Sequence, residues 1–169
     1  MYSLNKFAKK EGTYYDLDEQ ELHRGMKLLY SSVLPYERVK GKVILLSSFT
    51  STSEKSSIAE KFSGRKNTKS LYKLKKKFSV IVKIKNSYKK QWISNGVKIE
   101  TISKYKSEKE ILYQPFSFYY VRDVNIDHKN YKADIYLETI GKQEILEEQI
   151  KIGKEIDYNE KDNIMQVKQ

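Results

Sequence analysis

The feature that most restricts the fold of this chain is a succession of short strand-forming runs separated by turn chemistry. Lys42 to Thr50 holds the continuous apolar run Val43-Ile44-Leu45-Leu46 and predicts a strand buried on both faces. Phe78-Ser79-Val80-Ile81-Val82-Lys83-Ile84 is β-branched with partial alternation and predicts another. Leu22 to Leu29 alternates imperfectly around Gly25, and a glycine inside a strand marks a bulge or a close backbone approach by something else, a ligand included. Glu110–Tyr113, Phe118–Val121 and Ala133–Leu137 read as a meander, with turns at Pro115 and at Asp127–Asn130 and a weaker strand over Val97–Ile102.

Helical signal is sparse. Ser53 followed by Glu54 reads as a cap and first turn, Ile58, Ala59 and Phe62 supply one apolar stripe, and Gly64 is a C-terminal stop. Ser31 to Tyr36 reads as a loop, because Pro35 biases its predecessor away from helix. Residues 65–76 read as a polar basic connection, 86–96 as a loop or short helix around Trp92, and 1–20 as a short segment with one helical turn. Many strands and few helices predict an α+β domain. With no internal repeat and no low-complexity linker, 169 residues predict a single domain over 1–141, with 142–169 as its charged C-terminal strand or tail.

Composition removes whole classes of chemistry. There is no cysteine, so no disulfide, thiolate metal site or cysteine nucleophile, and a reducing compartment is favoured. His23 and His128 cannot build a histidine-rich metal site, and His23 reads as a packed or solvent-edge ring. Neither glycine-rich phosphate fingerprint nor a GxSxG elbow occurs. The expectation is therefore a metal-free protein outside the P-loop, kinase, dinucleotide-fold and hydrolase-triad classes. The first twenty residues hold no apolar core of signal-peptide length and no run approaches a membrane span, which predicts an intracellular protein and leaves secretion as an effector open.

Charge is uneven. Residues 1–133 carry 28 Lys/Arg and 13 Asp/Glu, and 134–169 carry 5 and 9. Residues 61–90 hold twelve cations and no acid, a run that suits nucleic acid or an acidic protein face and is otherwise a solvated surface.

Three stretches carry chemistry. Arg24-Gly25 sits in the first strand run, Phe49-Thr50-Ser51-Thr52-Ser53 ends the second, and Glu108-Lys109-Glu110 opens the meander. An arginine beside a glycine can hold a diphosphate while the backbone admits a planar ring. A serine at a strand end can orient a carboxylate or bond a ribose. On an extended segment Glu108 and Glu110 point to one side, and a carboxylate beside a ribose stabilises a developing oxocarbenium ion. Taken alone, the glutamates read as a surface pair balanced by Lys104, Lys106 and Lys109.

In order, spacing and flanks, these residues resemble mono-ADP-ribosyltransferases of the arginine–serine–glutamate class. The carriers are Leu22-His23-Arg24-Gly25, Gly41-Lys42-Val43-Ile44 leading to Phe49–Ser53, and Ile102–Leu112, closing with Pro115, Phe118 and Val121. The resemblance implies a core of two packed, mainly antiparallel sheets with few short helices, the family's N-terminal helical segment being largely missing ahead of Arg24. It implies NAD as substrate and an arginine-bearing acceptor protein as partner. By resemblance Arg24 binds the phosphates, Gly25 offers its backbone to the nicotinamide amide, and Ser51 positions the catalytic glutamate and contacts the ribose. Glu110 stabilises the oxocarbenium ion, and Glu108 orients and activates the acceptor arginine. Phe62 would stack on nicotinamide, or else face the core of its own helix. Arg65 would lie near the phosphates and Tyr105 in the acceptor-recognition turn. NAD hydrolysis is the close alternative, and an inactive basic module for nucleic acid or an acidic protein the distant one.

Overall fold

The structure, a computed structural model, describes residues 21–86 and 96–140. Expectations for 1–20, for Trp92 and for the tail lie outside the described residues. Eight strands are present: β1 Glu21–Leu29, β2 Val43–Leu46, β3 Thr50–Ser53, β4 Lys77–Lys85, β5 Val97–Lys98, β6 Glu110–Tyr113, β7 Ser117–Asp127 and β8 Lys132–Thr139. Three helices accompany them: α1 Tyr30–Arg38, α2 Ser56–Ser63 and α3 Thr68–Lys75. Short 3-10 turns occupy Arg65–Asn67 and Lys106–Glu108.

The strands form one hydrogen-bonded sheet in the order β2-β7-β8-β4-β1-β3-β6-β5. Every pairing is antiparallel except β4 with β8. The α+β architecture therefore stands, with a mixed rather than wholly antiparallel sheet. The two sheets expected from the resemblance are two parts of this one. β1 pairs with β4 along nine residues, but its pairing with β3 is a single bridge, His23 opposite Ser53. Beyond that bridge the two parts share no ladder pairs among the described residues, but Ile111 and Tyr113 of β6 enter the same buried core, with Tyr113 edge-on to Tyr119 of β7 at 5.8 Å.

The core lies on one face of the larger part. Alternate residues of β1, β4, β7 and β8 point there, among them Leu22, Phe78, Val80, Val82, Ile84, Val121, Ile135 and Leu137, together with Val33 from α1. Helix α2 lies on the opposite face of β1 and ends at Gly64 in the left-handed conformation (φ 68°), as its stop signal predicts.

Several local expectations are corrected. Ser31 to Tyr36, expected to loop, lie within helix α1 with Pro35 inside it. Ser31 and Pro35 are both exposed, so the carbonyl deprived of a partner faces water, while fully buried Val33 anchors the helix. The run Lys42 to Thr50, expected as one strand, holds β2 and only the first residue of β3. Among the described residues β2 is an edge strand paired only with β7, with Ile44 and Leu46 against the core and Leu45 47% exposed, so its apolar continuity does not mean burial on both faces. Residues 68–75 are helix, since Leu71 and Tyr72 are partly buried and Tyr72 stacks on Tyr131 at 3.7 Å. Lysine is a good helix former, and its abundance there hides the narrow apolar stripe. The 97–102 strand is only the two residues of β5. Ser53 ends β3 rather than capping α2, whose cap position is Lys55.

Candidate active site

The seam between β1 and β3 is where the candidate residues meet. A cavity of about 210 Å³ opens there, lined by His23, Arg24, Gly25, Ser51, Thr52, Ser53, Ile58, Ala59, Phe62, Glu108 and Glu110. One backbone bridge leaves the cleft its width. The side chain of Arg24 crosses it, donating Nη1 to the carbonyl of Ser51 at 3.1 Å and Nε to Met26 Sδ at 3.3 Å.

Gly25 has a structural reason of its own. A Cβ built there would lie 1.9 Å from the carbonyl oxygen of Ala59 and 2.8 Å from the amide nitrogen of Ser63. The close approach inferred from a glycine in a strand is therefore that of the α2 backbone. It sets the helix on β1 and brings Ile58, Ala59 and Phe62 to the cavity wall.

The register of β3 on β6 places the two central side chains. Ser53 stands opposite Glu110 and Ser51 opposite Leu112, so Ser51 and Glu110 are diagonal neighbours on one face. Ser51 Oγ donates to Glu110 Oε1 at 2.5 Å. Such a short bond to a carboxylate fixes its rotamer and leaves the other oxygen to be steered. That oxygen receives Ser103 Oγ at 3.5 Å. Thr52, on the reverse face, donates to the carbonyl of Ile111 at 2.9 Å and holds the same ladder from behind.

Glu108 reaches the cavity by a different route from the strand alternation expected. It closes the 3-10 turn Lys106–Glu108, and Lys109 then takes the left-handed conformation (φ 47°) before β6 begins at Glu110. The carbonyl of Glu108 accepts Ser53 Oγ at 2.6 Å. Both glutamates thus line one cavity through a turn and not through one extended segment.

Phe62 is 51% exposed and lines the cavity, outside the core cluster. Two candidates lie elsewhere. Arg65 does not line the cavity: its guanidinium pairs with Asp134 on β8 and reaches the carbonyl of Ser79 at 3.5 Å. Tyr105 is 59% exposed at the head of the 3-10 turn, its amide donating to Ser103 Oγ at 3.2 Å. His23 lines the wall with Nδ1 buried and unpartnered, 3.7 Å from Glu21, and burial pulls its pKa below the ordinary histidine value against the attraction of Glu21. Ser103 and Ser53 are the contacts that sequence reading missed as individuals. The sequence signal for them is faint, since Ser103 stands seven residues from Glu110 across a loop and Ser53 has a plausible alternative as a cap. Among the described residues no group of three or more His, Asp or Glu side chains is arranged to hold a metal, and no helix is long and apolar enough to cross a membrane.

Comparison against known proteins bears on the family and on the fold. The sequence model of the family described as NAD:arginine ADP-ribosyltransferase matches residues 3–144, and the chain belongs to that family. Among solved structures it is similar to Vis toxin, an ADP-ribosyltransferase from Vibrio splendidus (20% identity, TM-score 0.53, 78% of this chain and 51% of that one). It is likewise similar to the ADP-ribosyltransferase HopU1 of Pseudomonas syringae pv. tomato DC3000 (15% identity, TM-score 0.56, 77% and 48%). A third is an ADP-ribosyltransferase from Clostridium botulinum (16% identity, TM-score 0.55, 81% and 68%). The chain spans about half the length of the first two. No curated protein matches its sequence.

Proposed function

We propose that this chain transfers ADP-ribose from NAD to an arginine side chain of an acceptor protein and releases nicotinamide. The observation that carries this reading is the 2.5 Å bond from Ser51 Oγ to Glu110 Oε1, in a cavity shared with Arg24 and Glu108. The bond between the nicotinamide nitrogen and the ribose carbon breaks, and nicotinamide leaves with the electron pair. Positive charge develops on the sugar, and Glu110, held by Ser51, is the anion placed to stabilise it. The acceptor guanidinium nitrogen then adds to the same carbon and loses a proton, for which Glu108 is the local base. Arg24 supplies a fixed cation for the diphosphate. At about 210 Å³ the cavity is below the usual size of a site for a whole drug-sized ligand, which suits the nicotinamide-ribose end, with the remainder of NAD in the open groove. The family's own description names both NAD and arginine, in line with this donor and acceptor.

The test is to incubate the purified chain with NAD, with and without a small guanidinium acceptor, and to measure free nicotinamide and modified acceptor. The wild type should release nicotinamide faster with acceptor present. Glu110→Gln should lower both products on the order of 100- to 1000-fold, while Glu108→Gln should remove transfer and spare hydrolysis by water. No nicotinamide release under either condition overturns the reading.

A further inference from the structure

The acceptor-facing turn is held by a small set of contacts that the proposed chemistry does not itself use. Between β5 and β6 the chain runs from Lys98 to Lys109, carrying Ser103, Tyr105 and Glu108 on the way. The two ends of this segment meet one carboxylate. Glu54 Oε1 accepts Lys98 Nζ at 3.1 Å, and Glu54 Oε2 lies 3.6 Å from Lys109 Nζ. The Glu54 side chain is only 18% exposed, whereas both lysines are near half exposed, so the carboxylate is the sheltered centre of the arrangement.

The residues on either side of Glu54 take hold of the middle of the segment. Lys55 Nζ donates to the carbonyl of Ser107 at 2.9 Å. Ser53 Oγ donates to the carbonyl of Glu108 at 2.6 Å while accepting the amide of Lys55 at 3.0 Å. Three consecutive residues, Ser53-Glu54-Lys55, thus grip the twelve-residue segment at Lys98, Ser107, Glu108 and Lys109. The segment's own backbone bonds are local turns, Ser103 to Ile99, Glu108 to Tyr105 and Lys109 to Lys106, and the grip adds to them beside Lys109, a non-glycine residue in the left-handed region, where context must fix the conformation.

From this we infer that Glu54 and Lys55 are positioning residues for the acceptor: they set the placement of Glu108 and thereby the share of ADP-ribose that passes to a guanidinium and not to water. Neither residue lines the cavity, and Glu110 is held at 2.5 Å by Ser51 on β3, outside the gripped segment, while Ser103 within that segment reaches its other oxygen only at 3.5 Å. Loosening the grip therefore releases Glu108 while leaving cleavage of the nicotinamide bond in place. The inference rests on the proposed transfer reaction and adds to it the parts of the chain that govern its second half.

The experiment compares Glu54→Gln and Lys55→Gln with the full-length wild type in three measurements: NAD hydrolysis without acceptor, transfer to a small guanidinium acceptor, and amide hydrogen exchange over residues 99–109. The expected result is an acceptor KM raised roughly five- to tenfold, hydrolysis and the KM for NAD within about twofold of wild type, and faster exchange over 106–109. Lys55→Arg, which keeps a cationic donor, should restore part of the transfer share. If NAD and acceptor parameters fall together, or if the transfer share does not move, the assignment is overturned. A wild type that releases no nicotinamide overturns the transfer reading instead. Exchange over 106–109 then judges the grip alone, and unchanged exchange in both variants overturns it.

Discussion

The larger part of the sheet and the smaller part are built to different standards of redundancy. β1 and β4 share nine paired residues, β4 and β8 seven, and both contribute to one core. β3 and β6 share four, β6 and β5 two, and the smaller part is laddered to the larger by the single bridge of His23 and Ser53, with Ile111 and Tyr113 reaching into the shared core. Glu110 stands on the side with fewer ladder bonds, and side chains make up the deficit: Arg24, Ser51, Thr52 and Ser53 each donate a hydrogen bond within the smaller part or across the seam. Rigid support lies on one side of the cleft and adjustable chemistry on the other.

The difference can be broken most severely from the supporting side. Gly25→Ala puts a methyl group against the backbone of Ala59 and Ser63, so α2 must shift or β1 must bend. It should cost on the order of 3 kcal/mol, visible as a lower Tm, with activity lost in proportion to folded protein. Ser51→Ala comes next. It removes a hydrogen bond to a charged group, worth roughly 1.5–3 kcal/mol, and should lower kcat about tenfold to a hundredfold, beyond what the accompanying fall in Tm of several degrees explains. A matched pair then sharpens the contrast. Thr52→Val in the smaller part and Ile135→Val in the core each cost about 1 kcal/mol. Hydrogen exchange should show the first loosening residues 110–113 locally, whereas the second should lower global stability and leave the site intact.

The smallest effect concerns His23 at the bridge itself. Burial lowers its pKa in the folded protein. Below about pH 6.5 the unfolded chain therefore binds a proton that the folded chain resists. This contribution to stability is complete above about pH 6.5 and is lost as pH falls towards the folded pKa. His23→Gln should flatten the fall of Tm as pH drops below about 6.5, as thermal unfolding in a buffer series would reveal.

Where the sequence is legible, the signal is periodic or ordered. The alternation in Phe78–Ile84 becomes β4, the Gly64 stop ends α2, and Arg24, Ser51, Glu108 and Glu110 converge on one cavity. The failures share a cause, which is that local composition carries no record of a partner. The apolar run 43–46 does not say that β2 has one neighbour, and the lysines of 68–75 do not say that Tyr131 waits for Tyr72. Arg65 looks available by position and is held by Asp134, 69 residues further along the chain. Gly25 reads as an opening for a ligand, yet the first thing to approach it is the protein's own helix. Glu54 and Lys55, which read only as a helix start, act across more than forty residues.

The strand order also dictates a timetable for biosynthesis. β1, the first strand described, finds its long partner β4 only after residue 77 has been made, and β4 in turn gains its parallel neighbour only once β8 is complete at residue 139. Parallel pairing over such a span is slow, because loop-closure entropy must be met before the contacts that reward it. Arg24 and Ser51 are therefore synthesised long before the framework that aligns them with Glu110. While this protein is being made, its ribosome-bound forms carry the arginine and the serine of the cleft with no cleft to hold them.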